Sequence, residues 1–240
     1  MMRWQVRRAS GKASELHEKS AALVAGATTG VIAGAGNVAP PPGPVAVVQG
    51  SVDRALVLGS TQPESMVDRA ACAANGVDVV RRRSGGGAVL VEPGSVIWVD
   101  LLIGPTDPLW SDDVGRSTWW VGEAWAEALQ GAGLGDLDVW KGPMVRNALS
   151  PLVCFAGLGP GEVVDARRRK VVGISQRRTR HGALFQCACV TRWEPGRLLD
   201  LLVLPDNERE SAAGQLACAA AGVGADRAGP VVEDLLAVLP

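Results

Sequence analysis

The sequence predicts an α+β fold in which a mixed, largely antiparallel sheet is covered by helices. Two observations carry this. Short apolar runs of strand length come in hairpin-like groups, around residues 88–103 and again around 170–190. Stretches with helical spacing stand at the beginning, middle and end of the chain instead of alternating with each strand.

In chain order, residues 14–24 read as a helix, with Leu16, Ala21 and Leu23 near one side. Residues 26–44 are rich in glycine and proline and contain Pro40-Pro41-Pro42, which predicts a flexible loop. Residues 54–59 form an apolar run of strand length. Residues 64–75 read as a helix closed by Gly76, since glycine suits the left-handed position after a helix end. Residues 77–80, 88–91 and 95–103 read as strands, the last two joined by the Pro93-Gly94 turn into a hairpin. A helix is expected over 112–129. Asp112 and Asp113 lie in its first turn, where carboxylates suit the helix dipole, and Trp119, Trp120 and Trp125 face the sheet. Strands follow at 137–140, 152–156, 162–166, 170–176 and 183–190, then helices at 196–203, 208–222 and 230–239. No repeat or break in composition divides the chain, so residues 1–240 are expected to form one domain.

A chain of 240 residues buries roughly 70% of its unfolded surface and folds without a disulfide or metal staple. Its 24 basic and 25 acidic residues leave a formal charge of −1, which argues against nucleic acid or an anionic membrane as the main partner. The five cysteines (Cys72, Cys154, Cys187, Cys189 and Cys218) are odd in number and contain no CxxC pair. That fits free thiols in a reducing compartment, with no metal site expected. Cys187 and Cys189 are two apart and face the same way on a strand, as core residues would. The apolar stretch 21–39 is mostly Ala, Gly and Thr, poor material for a spanning helix, and the chain reads as cytoplasmic.

Three elements carry chemistry. Arg81-Arg82-Arg83-Ser84-Gly85-Gly86-Gly87-Ala88-Val89 lies between two strands. Consecutive glycines let the backbone approach a ligand and turn its N–H groups onto an anion, and the arginines add permanent charge. Lys170 stands among apolar neighbours in a chain with few lysines, where an ammonium needs a partner or a role. Cys154 is expected at the end of a strand before a glycine-rich turn, as an accessible thiolate or as a small buried hydrophobe.

Taken in order, these elements resemble the lipoate–protein ligase and octanoyltransferase family. Residues 81–89 are similar to its RRxSGGGAV motif, 170–176 (KVVGISQ) to its KxxGSAQ stretch, and 180–184 (RHGAL) to its HHGTLL segment. Residues 55–62 resemble the strand and glycine turn that open its pocket. Cys154-Phe155 before Lys170 resembles the single-domain octanoyltransferases. Three departures stand out. Val91 replaces a histidine common in the ligases, Glu92-Pro93-Gly94 replaces a DxGN-like turn, and Ile174-Ser175 replaces Ser-Ala.

The resemblance implies a biotin/lipoate-ligase-like catalytic domain without an accessory C-terminal domain. It implies a lipoate–protein ligase-like enzyme that attaches a lipoyl or octanoyl group to a lysine of a lipoyl domain. That domain would belong to a 2-oxoacid dehydrogenase or to a glycine cleavage H-type protein. Lys170 and Cys154 would be catalytic, Lys170 on the acyl carbonyl and Cys154 as thioester nucleophile if the enzyme is a transferase. The positions carried over as substrate-binding are Arg82, Ser84, Gly85, Gly86, Gly87, Ala88, Gly173, Ser175, His181, Gly182 and Ala183. A ligase would use ATP with magnesium. An octanoyltransferase would use no cofactor and take its acyl group from an acyl carrier protein. A non-catalytic acyl- or lipoyl-domain-binding member is the reading from another class.

Overall fold

The computed structural model describes residues 4–25 and 43–240. Most of the expected 26–44 loop therefore lies outside the described residues. Ten strands and six α-helices follow in the order β1 Gln5–Gly11, α1 Ala13–Ala25, β2 Val45–Ser51, β3 Ala55–Leu58, α2 Arg69–Ala74, β4 Asp78–Arg81, β5 Val89–Val91, β6 Val96–Ile103, α3 Trp119–Gly131, β7 Leu137–Val139, β8 Val163–Asp165, β9 Lys170–Thr179, β10 Gly182–Val190, α4 Pro195–Leu199, α5 Asp206–Ala217 and α6 Ala228–Val238. Among the described residues, no helix is long and apolar enough to cross a membrane.

The strands form two sheets. The larger has the order β1-β2-β6-β10-β9-β8-β7, and only its β1–β2 pair is parallel. The smaller has the order β4-β3-β5, parallel between β3 and β4 and antiparallel between β3 and β5. This is the mixed, largely antiparallel α+β arrangement that the sequence predicts.

Strand periodicity sorts the faces of the large sheet. Ile97, Val99, Leu101 and Ile103 of β6, with Phe185, Cys187 and Cys189 of β10, pack under α3 and α6 in the main core. Trp125 is wholly buried there, as expected, whereas Trp119 and Trp120 are half-buried. The alternate residues, Trp98 and Asp100 of β6 and Gln186 and Ala188 of β10, face α1 and the small sheet.

That second face carries a buried polar seam. Asp100 accepts hydrogen bonds from Trp98 Nε1 (2.7 Å) and Gln49 Nε2 (3.1 Å), and Gln49 also donates to Ser20 Oγ of α1 (2.9 Å). Burial pushes the Asp100 carboxyl up to about 6, against the opposing pull of its hydrogen bonds from Ser20, Trp98, Gln49 and Gln186.

Several local expectations are corrected. β1 and β2 are strands where the sequence predicts none. β1 is a mostly solvent-facing edge that carries Arg7 and Arg8, so it lacks an apolar run to announce it. The 64–75 helix is broken, because Val67 is extended and bridges Leu202. A 3₁₀ turn (Glu64–Met66) precedes the break, and α2 restarts with the Asp68 side chain accepting from Ala71 N (2.8 Å). The turn between β5 and β6 forms, Ser95 N donating to Glu92 O (3.0 Å), yet its arms do not pair as a hairpin. β5 joins the small sheet and β6 the large one. The helix expected from 112 starts at Trp119, because Asp113 Oδ1 folds the preceding residues into turns by accepting from Gly115 N and Arg116 N. Residues 152–156 are not a strand. Only Val153 bridges Ala88, and Cys154–Ala156 make a 3₁₀ turn.

Two measurements check this account. Trp125→Ala is expected to cost about 3–5 kcal/mol by opening a large void in the main core, seen as a lower urea midpoint with an unchanged m-value. The Asp100 carboxyl binds its proton more tightly in the folded protein than at its ordinary value of 3.8. Its stabilising contribution is present below about pH 4 and lost as pH rises through about 6. Relative to wild type, Asp100→Asn should therefore gain stability between pH 4 and pH 7. A constant difference across that range would contradict the burial argument.

Candidate active site

The small sheet faces the second face of the large one, and a cleft open to solvent lies between them, with about 450 Å³ of empty space counting the solvent at its mouth. Val57, Val89 and Val91 line it from the small sheet, and Val96, Trp98, Gly173, Ser175, Gln186 and Ala188 from the large one. Cys154, Arg82 and His17 complete the wall.

Arg82 organises the glycine loop. Its guanidinium is buried and donates to three backbone carbonyls: Val57 O (3.2 Å), Gly85 O (2.7 Å) and Gly87 O (2.9 Å). Its Nε is buried without a partner, and among the described residues no carboxylate pairs with it. Burial lowers the Arg82 pKa, and the nearby Cys154 acts in the opposite direction. An arginine stays charged even so, and the cavity wall therefore carries a positive charge that no carboxylate among the described residues pairs with.

The loop fits only as glycine at its contact points. Gly86 has φ +100°, and its carbonyl abuts Gly59, where a Cβ would collide with it. A Cβ on Gly87 would stand 2.6 Å from Cys154 N. One placed on Gly86 would be 3.7 Å from Cys154 Sγ, so the thiol lies beside the exposed part of the loop. No carbonyl among the described residues accepts the N–H of Gly85, Gly86 or Gly87. Gln62 ties the turn after β3 to the segment entering Cys154. Its Oε1 accepts from Gly59 N (2.9 Å), and its Nε2 donates to Pro151 O (2.7 Å) and Leu152 O (3.0 Å).

Lys170 lies behind this wall, not in the cavity lining. Its Nζ pairs with Glu162 Oε2 (2.7 Å) and donates to Cys154 O (2.9 Å), with both side chains about 95% buried. Glu162 is satisfied in turn, Oε2 by Gly159 N (2.6 Å) and Oε1 by Ile174 N (3.1 Å). The lysine that looked unpartnered in the sequence thus anchors the turn bearing Cys154.

Ser84 is buried and bonds Ser175 Oγ (2.9 Å) and Gln186 Oε1 (2.7 Å), while Gln186 Nε2 meets His17 Nδ1 (3.1 Å). Burial first, and Arg82 second, hold His17 down to about 3, so its ring is neutral. Ala88 is buried beneath the loop, bonded through its backbone to Leu152 and Cys154. His181, Gly182 and Ala183 are not brought to the cavity. His181 lies in the β9–β10 turn and Gly182 and Ala183 open β10, on the order of 10–13 Å along that strand from Gln186. His17, Trp98, Gln186 and Glu162 belong to the site but were not singled out from sequence. Two of them carry a usable sign: Gln186 as a lone amide in the apolar run of β10, and Glu162 as the partner that a lone lysine among apolar residues requires.

The family model of the lipoyl protein ligase A/B catalytic domain matches residues 44–221. No curated protein matches the chain. Among solved structures, the chain is similar to a bipartite lipoate protein ligase of Thermoplasma acidophilum, described with its E2 lipoyl domain (17% identity, TM-score 0.71, covering 98% of this chain and 82% of that one). It is similar to a lipoate-protein ligase A bound with ATP (19% identity, TM-score 0.66, 97% and 83%). It is also similar to the T. acidophilum protein Ta0514 with bound lipoic acid (18% identity, TM-score 0.65, 97% and 83%). These likenesses establish a shared fold, and the family match spans more than half of the sequence. The chain belongs to the lipoyl protein ligase A/B catalytic-domain family.

Proposed function

We propose that this protein transfers a medium-chain acyl group, octanoyl or lipoyl, to a lysine of a lipoyl domain through a thioester on Cys154. The observation that carries this is the half-exposed Cys154 thiol in the wall of an apolar cavity, beside the glycine loop and the uncompensated Arg82. The lipoyl domain described with the Thermoplasma ligase supports the choice of acceptor.

The chemistry runs in two halves. Cys154 Sγ, as thiolate, attacks the acyl carbonyl of a carrier thioester. A new C–S bond forms, the donor C–S bond breaks, and the carrier leaves as a thiol with the proton given up by Cys154. The neutral amine of the acceptor lysine then attacks the Cys154 thioester. An amide forms and the amine's proton returns to sulfur. The N–H groups of Gly85, Gly86 and Gly87, which no carbonyl among the described residues accepts, are free to stabilise the developing oxyanion. Arg82 favours negative charge at this wall, and Lys170 with Glu162 fixes the turn that aims the thiol. Burial of seven methylene-sized groups between the valines contributes roughly 5 kcal/mol to acyl binding.

A second reading, ATP-dependent lipoate ligation, is favoured by the same loop and by the ATP-bound relative. Arg82, Arg83 and the loop N–H groups would hold the phosphates, ATP would supply carboxylate activation, and magnesium would take most of its ligands from phosphate and water.

Intact-mass measurement separates the readings. With octanoyl carrier protein, wild type should gain one octanoyl group and pass it to a lipoyl domain. Cys154→Ala should show no adduct and at least a hundredfold slower transfer, on the order of a lost nucleophile. Modification that requires ATP and lipoate and is indifferent to Cys154→Ala would overturn the thioester route. Glu162→Gln strands a buried ammonium and should cost about 3–5 kcal/mol. Adding Lys170→Met should recover part of that loss, so a stability-neutral single variant would refute the anchoring role.

A further inference from the structure

Trp98 and His17 line the cavity where α1 meets β6, and they are fixed in place. The indole Nε1 donates to Asp100 (2.7 Å), and the two rings stack with centroids 4.3 Å apart. Behind them Ala13, Leu16 and Ala55 are wholly buried and fill the space between α1 and β3. That side is closed.

The spacing of Trp98 from Gly173, which packs beside Phe155 in the Cys154 turn, follows from sheet register. Gly173 of β9, near Cys154, stands opposite Ala188 of β10, and Ala188 stands opposite Trp98 of β6. Two strand spacings of about 4.8 Å put the Trp98 backbone roughly 10 Å across the sheet from Gly173. The path between is walled by valines from both sheets and has Gln186 at its edge. A zigzag of roughly eight carbons, with bonds of about 1.5 Å, spans such a distance, and one twice as long does not.

We propose that the Trp98–His17 stack is the stop that sets acyl chain length, admitting octanoyl-sized chains and refusing palmitoyl-sized ones. The proposal rests on the reading of the cavity as an acyl site. A longer chain meets an indole that cannot swing aside without breaking its bond to buried Asp100. A neutral imidazole is a compatible neighbour for the methyl end, and burial keeps His17 neutral.

The test is calorimetric titration of the whole protein with hexanoate, octanoate, decanoate, dodecanoate and palmitate. Wild type should bind octanoate best and palmitate not at all. Trp98→Ala should move the optimum to decanoate or dodecanoate, with dodecanoate affinity rising about tenfold or more. Val91→Phe, which fills the cavity from the opposite sheet, should move it to hexanoate, and it carries the test if Trp98→Ala does not fold. Wild type that binds palmitate as tightly as octanoate overturns the proposal, as does an optimum that stays at octanoate in the folded variants. Wild type that binds no fatty acid overturns the acyl reading along with it.

Discussion

The candidate site depends on how a buried guanidinium is satisfied. Arg82 has no acid to pair with among the described residues, so its donors go to backbone carbonyls on both sides of it, from β3 and from the glycine loop. These bonds pull the loop onto the strand, and the loop can come that close only because Gly59 and Gly87 lack side chains. The loop's backbone in turn touches the backbone of the Cys154 turn. Charge, loop shape and thiol position are thus consequences of one desolvated cation. Removing it would loosen the wall as well as lower its charge.

The two sheets divide the remaining work. The face of the large sheet under α3 and α6 is apolar and closely packed, and it supplies the rigidity. The opposite face trades some of that packing for a chain of buried polar groups running from Ser84 and Ser175 through Gln186 to His17, with Asp100 beneath. Such a seam is tolerable because its members bond one another, Gln49 Oε1 excepted, and it fixes α1 over the cavity in one orientation. A wall with the Arg82 charge and the glycine loop on one side and valines along its length suits a ligand with a polar head and an apolar tail.

Much of this was legible in the sequence, and the failures have physical causes. Alternation and turn residues announced β9, β10 and β6, because each is long and buried on at least one face. β1 stayed hidden because its pairing is purely backbone and its side chains mostly face solvent. The turn at Pro93-Gly94 was visible, but sequence spacing cannot tell a hairpin from two strands that part into different sheets. The glycine loop, Lys170 and Cys154 were found by residue type. Glu162 was passed over in a glycine-rich turn, although a lone buried lysine implies some such partner. His17 and Trp98 reach the site only through tertiary packing, which no local pattern encodes.

The Lys170–Glu162 pair has a consequence for molecular recognition. The ammonium already has two acceptors, a carboxylate and the Cys154 carbonyl. Glu162 already neutralises its charge, so a ligand carbonyl that reached its third N–H would gain only a modest net contact, and the polar end of a ligand contributes orientation while its hydrocarbon end contributes affinity. A site built this way should hold product almost as firmly as donor while both carry the same tail. Release would then depend on the far larger protein attached to the acyl group drawing it out.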